Sequence, residues 1–164
     1  MYYLRLLIIF FVLFLSSCSQ NINLEKFMDK YDSVDFTPLK NTSIYFRSRG
    51  EGINSSIYFV NKYNGNCSPY IVEFNDVTNK IIDIKNNLVI SSCKKDYLSK
   101  NEIELYMKEY MRYKLCLLQV DPEGNVSINP RNSASPTIMR KAVGSYPENL
   151  NQYKCIEKNW YVKN

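Results

Sequence analysis

The side chains most able to do chemistry in this 164-residue chain are few, and one kind is missing. There are five cysteines and no histidine. Without histidine there is no Ser-His-Asp or Cys-His nucleophile, no imidazole acid or base, and no histidine metal site. Any catalysis would rest on carboxylates, Lys, Tyr or Cys. The most suggestive loop is Arg47-Ser48-Arg49-Gly50-Glu51-Gly52. Two guanidiniums beside the open backbone of Gly50 and Gly52 are the means to hold a phosphate or carboxylate. The competing reading is a solvated hairpin tip. Gly50-x-Gly52 lacks the third glycine and the following helix of a dinucleotide fingerprint.

Other polar groups admit bland readings. Asp121-Pro122-Glu123-Gly124-Asn125 has oxygen ligands but neither the spacing nor the terminal Glu of a calcium loop, and it reads as a hairpin turn. Paired carboxylates can hydrolyse glycosides without histidine. Glu102, however, fits a helix cap, Glu104 and Glu109 read as solvated, and Glu73 and Asp76 sit near a strand end with no supporting pattern. Trp160, the single tryptophan, is a core plug for the last strands or an exposed anchor. The 14 tyrosines reflect AT-rich codon usage or a tyrosine-rich binding surface. No metal and no cofactor is expected.

The cysteines divide into one near the start and four later. Met1 to Arg5 carries one positive charge, Leu6 to Leu15 is unbroken and apolar, and Ser16-Ser17 lead into Cys18. That is the layout of a secretory signal, too short to span a bilayer. Leu15-Ser16-Ser17-Cys18 resembles the bacterial lipobox, with one Arg in the charged end where two or more basic residues are usual. The resemblance covers only this leader. It implies cleavage before Cys18, a diacylglyceryl group on its thiol and acylation of the new amino group. Several chains on one residue hold a protein stably where a single chain does not. Ser19 follows, and a residue other than Asp there resembles an outer-membrane address. The resemblance therefore places the protein in the cell envelope, on the outer membrane facing the periplasm.

Cys67, Cys93, Cys116 and Cys155 remain, an even number fit for two disulfides in an exported domain. Their wide spacing argues against a zinc site. Four buried free thiols is the competing reading. Three connectivities are available. If Tyr70–Phe74 and Leu88–Ser92 pair as antiparallel strands, facing residue numbers sum to about 160. That would set Cys67 against Cys93 and leave Cys116 for Cys155.

The elements that must position these groups follow from pattern. Residues 1–17 are the leader, 18–23 a lipidated tether, and 24–164 one domain. Leu24, Phe27, Met28 and Tyr31 fall at helical spacing. Strands are expected at Ser43–Arg47, Ile57–Val60, Tyr70–Phe74, Ile81–Ile84, Leu88–Ser91, Lys114–Val120, Val126–Asn129, Tyr153–Ile156 and Asn159–Val162. Ser99-Lys100-Asn101-Glu102 fits a capping box. It opens a helix to about Tyr113 with Ile103, Tyr106, Met107, Tyr110 and Met111 on one face. Ser135-Pro136 would open a second short helix, with Gly144 past its end. The fold class is α+β: a mostly antiparallel sheet carrying the 99–113 helix on one face.

The net charge of +5 includes Arg5 of the leader, leaving 20 basic against 16 acidic side chains with no block of one sign. This is no nucleic-acid footprint. The expectation is a small, non-catalytic binding module, held to the membrane through Cys18, with a protein partner in the envelope. Its most concrete form is an immunity-type inhibitor of a toxin delivered into the periplasm. The alternatives are an envelope assembly or structural accessory and, further off, a carboxylate-based hydrolase.

Overall fold

The computed structural model describes residues 23–164. The leader expected at 1–17 and the lipidation site Cys18 lie outside the described residues. Among the described residues no helix is long and apolar enough to cross a membrane. The chain divides into a first unit ending at Val34 and a second, Asp35–Asn164.

The described part of the first unit is helix α1, Leu24–Asp32. Asn23 caps it by accepting a hydrogen bond from the Lys26 N–H at 3.1 Å. Phe27 and Tyr31, one turn apart, bring their rings to 4.7 Å.

The second unit is dominated by one nine-stranded sheet. Its strands are β1 (Thr42–Arg49), β2 (Ser55–Lys62), β3 (Tyr70–Asn75), β4 (Lys80–Lys85), β5 (Leu117–Val120), β6 (Val126–Asn129), β7 (Ile138–Arg140), β8 (Tyr153–Glu157) and β9 (Trp160–Lys163). Two helices, α2 (Asn87–Cys93) and α3 (Lys100–Tyr110), separate β4 from β5. The spatial order is β4-β3-β2-β1-β5-β6-β7-β9-β8. Every pairing is antiparallel. A four-strand meander runs outward from β1. The chain returns through α2 and α3 to lay β5 on the free side of β1. The fold is thus α+β with a mostly antiparallel sheet, as expected, and the sheet outweighs the helices.

Burial alternates along β2 and β3. Tyr58 and Val60 of β2, and Tyr70, Val72 and Phe74 of β3, are buried, while Ile57, Phe59, Ile71 and Glu73 between them are half-buried. This part of the sheet has one face in the core and one wetter face, whereas β6 is buried on both. On the core face the Tyr58 ring meets Phe46, Phe74 and, from α3, Tyr110, at 5.8, 6.3 and 5.6 Å. Ile103 and Met107 of α3 are buried as well. The expected capping box is complete. The Ser99 N–H donates to Glu102 Oε2 at 2.7 Å and the Glu102 N–H to Ser99 Oγ at 3.3 Å. α3 stops at Tyr110 rather than Tyr113, since the chain passes through tightening turns into a left-handed Lys114 at φ 53°. The same residue delays β5 to Leu117.

Three expectations need correction. Leu88–Ser91 is not a strand but part of α2, with Val89 buried. A short apolar run does not tell the two apart. The edge of β3 is already taken by β4. The helix expected after Pro136 is absent: Ile138–Arg140 pairs with β6 and β9 instead, where Ile138 and Met139 are buried. Cys116 and Cys155 do not pair, and both thiols are free. Cys116 adjoins β5, with its carbonyl accepting from the Phe46 N–H. Cys155 lies on β8, four strand steps away. At about 4.8 Å per step that is roughly 19 Å. A disulfide needs Cα atoms within about 7 Å. Cys67 and Cys93 are bonded, with Cα atoms 5.6 Å apart. The pair is the expected one, but the route differs: Cys93 arrives on the last turn of α2, not on a strand facing β3.

Candidate interaction face

The binding loop expected at Arg47, Arg49, Gly50 and Gly52 is the β1–β2 hairpin, and the structure separates its two arginines. Residues two apart on a strand share a face. Here a bulge interrupts the register between Phe46 and Ser48. Phe46 pairs with Tyr58 and Arg49 with Ser56, so both lie on the core side. Arg47 is the extra residue and goes the other way, its guanidinium 5.8 Å from the Phe59 ring. Arg49 Nη1 donates to Asp76 Oδ2 at 2.8 Å and to Ser56 Oγ at 3.2 Å. The two cations cannot converge on one anion.

The glycines are committed too. The Gly50 N–H donates to the Ser55 carbonyl at 3.0 Å, and the Gly52 N–H to Ser55 Oγ at 3.1 Å. A Cβ on Gly50 would stand 2.1 Å from Ser55 Oγ and 2.8 Å from Glu73 Oε1, so any side chain there would displace Ser55 and Glu73. The loop is a tied hairpin tip rather than an open anion cradle.

The remaining sequence candidates resolve into structural roles. Asp121 is buried and saturated. Its Oδ1 accepts from the N–H groups of Glu123 and Asn125 at 3.0 and 2.8 Å, and its Oδ2 from Asn125 Nδ2 at 2.7 Å. Asn125 Oδ1 in turn accepts from the Ala142 N–H at 2.8 Å, tying this turn to the loop after β7. Glu109 pairs with Arg112 at 2.7 Å, Glu104 with Lys100 at 3.9 Å, and Asp76 with Arg49. The Ser99 N–H and hydroxyl hold the Glu102 carboxyl below the usual carboxylate range. Trp160 is buried in the core.

Arg47, two residues beyond Tyr45 and on its side, completes a composite surface on the wetter face of the sheet. Tyr45, Phe59 and Ile71 stand in one row across β1, β2 and β3, and Ile57 and Glu73 in the next. Tyr45 and Phe59 meet edge to face with centroids 5.3 Å apart. Arg47 lies over the Phe59 ring of that pair, and its charge opposes the upward push that partial burial gives the Tyr45 phenol. Polar groups border the row. Asn61 lies opposite Ser43, whose hydroxyl accepts from Gln119 Nε2 at 3.0 Å. Asp83 and Lys85 of β4 face Glu73 and Ile71. An apolar, aromatic centre with an arginine across it and a polar border is the anatomy of a protein-docking surface.

Of these residues, sequence reasoning singled out Arg47 for binding and weighed Glu73 only as a carboxylate without a supporting pattern. It missed Tyr45, Ile57, Phe59 and Ile71 because both alternating sets on β1 and β2 are apolar. Ile44 and Phe46 interleave with Tyr45, and Tyr58 and Val60 with Ile57 and Phe59. Period two then shows a strand but not which set faces water.

No family model matches the chain, and neither a curated protein nor a solved structure shows significant similarity to it.

Proposed function

We propose that this chain is an exported binding module, anchored through lipid on Cys18 to the outer membrane and facing the periplasm, that docks a protein partner on the face built from Tyr45, Arg47, Ile57, Phe59 and Ile71. The observation that carries the reading is Arg47 standing over the Phe59 ring, whose edge-to-face partner is Tyr45, on the wetter side of the sheet. Tyr and Arg in the middle of an apolar patch are the residue types that dominate binding energy. The core on the opposite face, including the contact of α3 through Tyr110 with Tyr58, supports the reading by holding this surface on a rigid sheet. The most specific form is an immunity-type protein that blocks a toxin arriving in the periplasm, an inference by class of protein.

The test is capture by the full-length chain, carrying an affinity handle at its C-terminus, from membranes of its own host. Wild type is compared with Phe59→Ala and Arg47→Ala. Truncating a central anchor costs about 2 kcal/mol or more, roughly a 30-fold loss of affinity. A partner retained equally by all three chains would refute the face. A strain lacking the protein should become sensitive to a sibling's toxin. An envelope defect with no competitor present would instead mark an assembly accessory.

A further inference from the structure

The core side of the same hairpin carries a feature that protein docking on the wetter face does not use. An open groove of about 540 Å3 lies where β1 and β2 end, beside the β3–β4 turn and the stretch leaving α3. Phe46, Tyr58 and Leu115 give it an apolar floor, and the half-buried Cys116 thiol also lines it. The exposed side chains of Arg49 and Lys114 line it as well. Asp76, the one acid lining the groove, is already spent on Arg49 and Ser56. Both hydrogen bonds of Arg49 run from Nη1, so the rest of its fork is available. At the same end of the sheet the Asp76 N–H donates to the Asn54 carbonyl at 2.9 Å, joining two loop tips. The neighbouring side chains Ile53 and Val77 are 90% and 68% exposed.

We propose that this groove binds an anionic amphiphile, with a carboxylate or phosphate head between Arg49 and Lys114 and a single apolar chain along Phe46, Tyr58 and Leu115. Charge and surface select that class together. Arginine forks onto planar or tetrahedral oxyanions, and a lysine beside it adds a second positive charge. A cation would meet Lys114, and a purely polar ligand would leave the apolar floor in water. The exposed Ile53 and Val77 equip this end to touch lipid, so the amphiphile has two sources, free in solution or drawn from a bilayer.

Cys116 supplies the readout, because an occupant of the groove covers its thiol. The full-length chain is placed in phosphatidylcholine vesicles, and alkylation of Cys116 by iodoacetamide is followed by peptide mass mapping, with the exposed Cys155 as internal control. Decanoate below its micellar concentration should slow Cys116 at least about five-fold, an occupancy that corresponds to about 1 kcal/mol, and leave Cys155 unchanged. Protection by phosphatidylglycerol vesicles alone would assign the source to the bilayer, and protection by decanoate alone to free amphiphile. Both outcomes support the groove. Equal protection by decyltrimethylammonium, protection that survives in Lys114→Gln and in Arg49→Gln, or no protection by either anion would overturn it. Lys114 is exposed, so its variant keeps the test valid should Arg49→Gln fold poorly. If the thiol proves unreactive in the empty groove, equilibrium binding of radiolabelled decanoate to wild type and Lys114→Gln decides the same question.

Discussion

Replacing both members of the Cys67–Cys93 bridge by serine perturbs this protein in a way that its geometry quantifies. The two residues are 26 apart in sequence. A cross-link closing a loop of that length removes chain entropy from the unfolded state, about 3.5 kcal/mol at 25 °C. The native contacts around the bridge do not depend on sulfur. The Ser68 N–H still donates to Ser92 Oγ at 2.9 Å, and the Tyr97 hydroxyl to the Ser68 carbonyl at 3.0 Å. Cys67→Ser/Cys93→Ser should therefore fold, with α2 still docked, but be less stable. Urea unfolding followed by circular dichroism reads the effect. With a slope of roughly 2 kcal/mol per molar, the midpoint should fall by about 1.5 to 2 M. Reduced wild type should show the same midpoint as the variant. A fall below about 0.5 M would refute the reasoning. It would mean that the 67–93 loop stays closed in the unfolded chain without the bond, or that the bond is not formed.

Ser99→Ala removes the α3 cap and should cost about 1 kcal/mol in the same assay. The Glu102 half of the box has a pH signature. Its folded pKa lies below the unfolded one, so its contribution is present above the ordinary carboxylate range and is lost as pH falls through the lowered value; an acid titration of unfolding should show this in wild type and not in Glu102→Gln. Tyr110 has the opposite sign. Burial raises its phenol far above the ordinary value, and its hydroxyl donates to the Leu115 carbonyl. Its stabilisation is full below about pH 10 and declines as pH rises beyond that, so phenolate absorbance near 295 nm should show Tyr110 ionising only with unfolding. Asp121→Ala would leave the N–H groups of Glu123 and Asn125 and the Asn125 amide without their acceptor, at a cost of about 2 to 4 kcal/mol in urea unfolding.

Much of this fold is legible in the residues themselves, where the cause is local. The Ser99–Glu102 box is spelled by types at fixed spacing, as are the amphipathic α1 and the hairpin turn at Asp121–Asn125. Tyr45, Phe46, Tyr58, Phe59 and Val60 have the β-branched and aromatic character of strands, and they are strands. The absence of histidine sets limits on chemistry that no fold can lift. Tertiary structure decided whatever depends on a neighbour distant in sequence. The run at Leu88 became a helix because β4 had taken the edge of β3, and Ile138 became a strand because β6 and β9 offered it ladders. Cys67 found Cys93, while Cys116 and Cys155 were held four strands apart by a sheet order that no spacing reveals. A single extra residue at the Arg47 bulge put Arg49 on the core side and split an expected two-arginine loop between two separate surfaces. Local propensity acts over a few residues. Which face of a strand is wet, and which cysteines meet, is set by pairings between segments tens of residues apart, and those exist only once the chain has folded.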